Sequence, residues 1–140
     1  MAKLQLRILT SSVVKVDEQV DMVIMRTIIE DMGKNSAVGD IGILPNHVPL
    51  SAVLGISPLR ILNEGSERVL AVFGGVMEVR DNVVTVMTET ALWPDEIDKD
   101  AAKQEYERAE SEKASLTEDA EIRRNKIALR RALVQMEVAS

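Results

Sequence analysis

The chain has 140 residues and a formal net charge of -6, with 46% hydrophobic and 29% charged residues. Those proportions describe a folding chain with room for one ordinary core, and the acidic balance argues against phosphate backbones or anionic lipid as partners. Without cysteine and with a single histidine, disulfides and thiolate zinc sites are excluded, and neither a metal nor a cofactor is expected.

The amino terminus alternates instead of opening with the apolar run of a signal peptide. Leu4, Leu6 and Ile8 fall on one face of residues 3–9, the period-two signature of a half-buried strand. No later run approaches the ~20 apolar residues of a membrane span, so the chain is expected to stay in the compartment where it is made. Further β-rich runs follow at 20–29, 41–44, 48–54, 59–62, 68–73, 76–79 and 83–87. Between them stand turn formers: Pro45-Asn46, Ser57-Pro58, Asn63-Glu64-Gly65-Ser66 and Arg80-Asp81-Asn82. Short strands at this spacing predict an all-β sandwich over residues 1–88, and Gly74-Gly75 inside it predicts a bulge or a close backbone approach. The aromatics are only Phe73, Trp93 and Tyr106, so aliphatic side chains must fill the core and no stacking platform for bases or sugars is available.

Trp93-Pro94 ends the strand pattern, and the remaining chain is rich in Ala, Glu, Lys, Gln and Arg, the strong helix formers. Asp95 or Asp98 can cap a first helix running to about Ala114, and Ser115-Leu116-Thr117-Glu118 reads as a capping box opening a second. Residues 89–140 are therefore predicted to form an α-helical hairpin. Its seams are narrow: Ala102, Tyr106 and Ala109 on one helix, Ile122, Leu129, Leu133 and Met136 on the other. At roughly 25 cal/mol per Å2 of apolar surface such stripes stabilise far less than a sandwich core, so the hairpin is expected to detach or rearrange.

No motif for catalysis stands out. His47, in Asn46-His47-Val48-Pro49, has no orienting partner visible in sequence and reads at first as an ordinary loop residue, and no nucleophile elbow, phosphate loop or dinucleotide fingerprint occurs. No catalytic residue is assigned. The more informative feature is the basic run Arg123, Arg124, Lys126, Arg130 and Arg131 on the second helix of an acidic chain. Cations toward a helix carboxyl end suit the helix dipole, and beside an apolar stripe they also fit an acidic groove on a partner.

The segment Gly39-Asp40-Ile41-Gly42-Ile43-Leu44-Pro45-Asn46-His47-Val48-Pro49-Leu50, followed by Gly74-Gly75-Val76-Met77-Glu78-Val79 and the run 83–86, closely resembles the epsilon subunits of bacterial and chloroplast F-type ATP synthases. The likeness spans nearly the whole chain, through Ile97-Asp98 to Arg131-Ala132-Leu133. It implies a non-catalytic rotor subunit, peripheral on the cytoplasmic face of the cell membrane. In such a subunit the sandwich binds the gamma subunit and rests on the ring of c subunits. The resemblance puts Asp40 and His47 at or near those rotor contacts, which reverses the ordinary reading of His47. In the family the helices either fold down on the sandwich or extend along gamma and block hydrolysis. Arg123, Arg124, Lys126, Arg130 and Arg131 are then expected to meet acidic surface on the catalytic beta subunits of the alpha/beta ring.

Some members of that family bind ATP on the folded hairpin through an Ile/Leu-Asp-x-x-Arg-Ala motif and arginines on the second helix. Here Asp98 and Arg131 match, but Ala101 stands at the motif's arginine, Gln135 at a second-helix arginine and Leu92 at a glutamate. Without those charged side chains a triphosphate would be held poorly, so no useful nucleotide site is expected, although an ATP-sensing hairpin is the alternative reading. The stretch 30–38 is longer than the family's usual turn and is expected to form an extended loop.

Overall fold

A computed structural model describes residues 2–31 and 35–140. Its strands are β1 (Leu4–Leu9), β2 (Val14–Val20), β3 (Met22–Asp31), β4 (Asn35–Ile43), β5 (Leu50–Asn63), β6 (Ser66–Arg80), β7 (Val83–Met87) and β8 (Ala91–Leu92). A 3-10 turn at Pro94–Glu96 leads into α1 (Lys99–Glu112), and a second at Lys113–Ser115 precedes α2 (Asp119–Ala139). The strands hydrogen-bond in the order β2-β1-β7-β6-β5-β3-β4, with β8 added to β6.

That single path folds over into two layers because the long β5–β6 ribbon bends. Leu54 lies opposite Gly75 and Ile56 opposite Phe73, leaving the Gly55–Gly74 step between them out of the ladder. The inward-facing set changes parity there: Leu70 and Val72 on one side of the bend, and Met77 and Val79 on the other, all enter the same core. Gly75 has φ 129°, and a Cβ on it would stand 2.1 Å from the Met87 carbonyl oxygen, so the predicted close approach is real and only glycine permits it. Both ends of the folded ribbon then meet Lys3, just ahead of β1: its Nζ donates to Asn63 Oδ1 while its carbonyl accepts from Asn82 Nδ2 at 2.7 Å. Leu4, Leu6, Ile8, Val20, Ile61 and Val86 are among the aliphatic side chains sealed between the layers.

The prediction of a sandwich followed by two helices holds, with local differences. The runs 48–54 and 59–62 are one strand, as are 68–73 and 76–79. Ser57-Pro58 is therefore no turn. Pro58 is tolerated because the β3–β5 ladder is interrupted between Ile24↔Arg60 and Thr27↔Leu54, where its missing N–H leaves no gap. Strand β2 was not predicted, its Val-Lys-Val-Asp-Glu-Gln-Val sequence being mostly polar. The turns at Glu64-Gly65 and Asp81-Asn82 are as expected, with positive φ at each residue. Most of the expected 30–38 loop is instead strand: the β3–β4 ladder runs out to Asp31↔Asn35, and residues 32–34 lie outside the described residues.

In the hairpin, Asp98 is the cap of α1, its carboxylate accepting from the Ala101 N–H at 3.0 Å, while Asp95 sits in the preceding 3-10 turn. The expected capping box at Ser115 does not form. Ser115 Oγ donates back to the Glu112 carbonyl at 2.8 Å, closing the short turn, and α2 starts after Glu118 with no side-chain cap. Ala102 and Ala109 are buried as predicted, with Tyr106 half-buried between them. The buried face of α2 is rotated from the predicted stripe: Asn125, Ala132, Val134 and Val138 are buried, and Leu133 is 47% exposed. The reason is that α2 serves two neighbours. Its middle faces α1, where Asn125 Nδ2 donates to the Ala109 carbonyl at 2.8 Å, and its last turns lie on β5 and β6.

Candidate functional site

Two surfaces stand out, one left bare by the sandwich and one covered by the hairpin. On the outer face of the sheet, Val53 pairs with Val76, Val76 with Met87, Met87 with Leu9 and Leu9 with Val14. These partners sit side by side across five strands and form one apolar row, with Val53 55%, Val76 44%, Met87 47% and Val14 63% exposed. The next row, two residues along, is polar: Ser51, Glu78, Thr85, Arg7 and Asp17 in the same strand order, with Arg7 and Asp17 ion-paired at 3.3 Å. An exposed apolar strip with a polar margin is the surface pattern of an interaction site. Sequence reasoning missed it because these residues belong to strands far apart in the chain; only the register brings them into line.

The hairpin covers a different face. Ala71 and Phe73 of β6 form a second apolar cluster with Ile97, Val134 and Val138, and Ile56, Val69, Leu92 and Ala139 pack around it. Above it the Arg131 guanidinium lies over the Phe73 ring, 4.7 Å from its centroid. The segment joining the two parts is pinned to the sandwich. Glu96 binds Lys15 of β2 at 2.6 Å and accepts from the Trp93 N–H at 2.9 Å, while Arg68 lies over the Trp93 ring at 5.5 Å. Those contacts hold the Glu96 carboxyl below its ordinary range, the Lys15 hydrogen bond contributing most.

The residues singled out from sequence do not gather at one place. Asp40 is exposed on β4, ion-paired with Arg26 at 3.2 Å, beside a groove that also takes in Arg60 and Glu137 near the end of α2. His47 is half-buried in the loop after β4, its Nδ1 2.7 Å from the Val48 carbonyl, between Leu44 and Val48, which are 56% and 70% exposed. That loop is fixed to the β6–β7 turn by the Asn46 N–H donating to Asn82 Oδ1 at 2.8 Å. Arg123, Arg124, Lys126 and Arg130 are exposed along α2, whereas Arg131 is half-buried against Phe73.

Of the partial nucleotide motif, Asp98 is engaged as a helix cap and Leu92 is packed beside the Phe73 cluster. Gln135 donates to the Arg131 carbonyl at 3.0 Å, and Ala101 and Arg124 border the depression between the helices. Among the described residues no cluster of His, Asp or Glu could hold a metal ion, and no helix is long and apolar enough to cross a membrane.

Residues 3–94 match the family described as ATP synthase, Delta/Epsilon chain, beta-sandwich domain, and residues 95–140 match the long alpha-helix domain of the same chain. The chain belongs to the ATP synthase delta/epsilon family. The ATP synthase epsilon chain of Caldicellulosiruptor bescii is 35% identical over 139 residues, covering 99% of this chain and 95% of that one. That of Brevibacillus brevis is 42% identical over 111 residues, covering 79% and 77%. A chain in the Euglena gracilis mitochondrial ATP synthase has the same fold, with a TM-score of 0.79 over 99% of this chain and 82% of that one, at 24% identity. As an epsilon chain it is a structural and regulatory subunit of the ATP synthase, not a catalytic one.

Proposed function

We propose that this epsilon chain is a rotor subunit of the central stalk, with the sandwich (residues 1–88) as the coupling part and the helical hairpin (residues 89–140) as a brake on ATP hydrolysis. The observation that carries this reading is the division of surfaces. One face of the sandwich offers an apolar row of Val53, Val76, Met87, Leu9 and Val14 to a partner while the hairpin rests on another. The gamma subunit is the partner proposed for the row. The c ring is assigned to the loop end carrying His47 with exposed Leu44 and Val48, and Asp40 is kept as a second rotor contact. The complex then sits peripherally at the cytoplasmic face of the cell membrane.

The hairpin suits a brake because its attachment is small. The cluster under α2 rests on Phe73, Ile97, Val134 and Val138 with the small Ala71, far fewer side chains than are sealed in the sandwich core. Once raised, α2 would carry Arg123, Arg124, Lys126, Arg130 and Arg131 to acidic surface on the catalytic subunits. The nucleotide-sensing alternative has less support, because Asp98 caps α1 and Ala101 and Gln135 bring no charge to a triphosphate.

The test is ATP hydrolysis by the catalytic complex carrying either the full chain or a chain ending at Trp93, each matched for gamma binding. Faster hydrolysis on truncation is expected. Equal rates would remove the brake from this reading and leave coupling alone.

A further inference from the structure

The hairpin's last turns need something besides aliphatic contact to define their seat. Val134 and Val138 rest among Ala71, Phe73 and Ile97, and apolar contact by itself is not directional. Arg131 supplies direction. It stands one helical turn before Val134 and Gln135, half-buried, with its guanidinium over the Phe73 ring at 4.7 Å, within the ~6 Å reach of a cation–π contact. Phe73 is itself 9% exposed and fixed in β6, its N–H donating to the Thr90 carbonyl at 3.1 Å. The ring is therefore a rigid acceptor and the arginine the movable half.

We propose that Arg131 and Phe73 form the latch that sets how often the hairpin lifts from the sandwich. It deepens the brake reading above but does not depend on it, since the latch acts within the single chain. The pivot follows from the junction. Lys15–Glu96 and Arg68–Trp93 tie residues 93–96 to the sandwich, so the first position free to turn is Ile97-Asp98, after Ile97 leaves its place beside Phe73. One consequence concerns the basic run. Arg131 has two alternative uses, the Phe73 ring when the hairpin is seated and a partner's acidic surface when it is raised, whereas Arg123, Arg124, Lys126 and Arg130 are exposed with the hairpin seated. Arg131 is the residue of that run through which the two positions compete.

The chain has no cysteine, so single thiols report opening without background. Val138→Cys places a thiol under the seated hairpin, and Val86→Cys places one in the sandwich core, both at sites that are buried. In the full-length chain, at reagent concentrations where the hairpin recloses faster than the thiol is labelled, the labelling rate of Val138→Cys tracks the lifted fraction, however small it is. Arg131→Gln is expected to raise that rate about two- to fivefold, the size of a partly exposed cation–π contact, and Phe73→Leu to raise it at least as much, because the ring also packs under α2. Arg131→Lys should restore most of the slow rate. The double variant should be no faster than the faster single one, since one contact is removed only once.

Labelling of Val86→Cys should not change with Arg131→Gln, which separates lifting from general unfolding. An unchanged Val138→Cys rate in Arg131→Gln would overturn the latch, and so would a parallel rise at Val86→Cys or additive effects in the double variant. None of these outcomes touches hydrolysis, so the brake can fail while the latch stands.

Discussion

Glu96 shows how one carboxylate can fasten two parts of a small protein. Its oxygens take the Lys15 ammonium at 2.6 Å and the Trp93 N–H at 2.9 Å, and Lys15 is only 15% exposed, so the pair works in a partly dry setting. Both partners favour the charged form, and Lys15 and then Trp93 lower the carboxyl's pKa from 4.5 against a smaller opposing effect of burial. A carboxyl whose folded value lies below its unfolded one adds stability that is present above the unfolded value and disappears as pH falls through the folded value. Asp21, held by the Glu64 N–H and Lys3, and Glu67, held by Arg60, shift in the same direction. We therefore expect Glu96→Gln to lower the melting temperature at neutral pH and to narrow its gap to the parent below about pH 4, with Asp21 and Glu67 keeping some acid slope in both. A gap that stayed constant from neutral pH to about pH 3 would assign Glu96 a purely steric role.

At the level of elements, the two helix starts make a matched comparison. Asp98 and Ser115 looked alike in sequence, each a cap-type residue just ahead of helix formers, yet only Asp98 turns its side chain onto the first free N–H groups. Ser115 is used one turn earlier, on the Glu112 carbonyl. Asp98→Ala should cost about 1 kcal/mol and speed amide exchange at the start of α1, while Ser115→Ala should change the start of α2 by only a few tenths. Equal effects would mean that packing against the sheet, not capping, sets both starts.

The same contrast explains how far the sequence could be read. Period-two runs such as Leu4-Leu6-Ile8 and turn residues such as Glu64-Gly65 and Asp81-Asn82 are local signals, and they gave the sandwich and its hairpins. The merging of strands across Ser57-Pro58 depends on a gap in the ladder to β3, and the rotated face of α2 depends on what lies beneath it. Neither is a local property. Residue identity alone likewise told nothing of Val53, Val76 and Met87 lying side by side; Asp40 and His47 are reached only through the family resemblance, and they stand apart in the fold, on β4 and in the loop after it.

For the molecule as a whole, the row and the latch assign opposite demands to two faces of one sandwich. If the hairpin acts as the proposed brake, the face under it has to release its cover, and the contact fits that demand: the apolar patch is smaller than the sandwich core and its directional contact is an arginine on a ring. On the proposed rotor reading the bare row has to hold gamma through every turn, which asks for a surface that is wide, rigid and dry once covered, and a row fixed by five hydrogen-bonded strands meets that demand. Val76 lies second in the row, flanked by Val53 and Met87, and at 44% exposure it can accept a carboxylate without disturbing the core. Val76→Glu should therefore leave the chain folded, with its Val138→Cys labelling unchanged, yet weaken capture by immobilised gamma subunit at least about tenfold, because a buried unpaired charge costs several kcal/mol. Asp40→Ala and His47→Ala should keep gamma capture and weaken coupling. Normal capture by Val76→Glu together with failed capture by His47→Ala would move the gamma site to the loop end of the sandwich and leave the apolar row without an occupant.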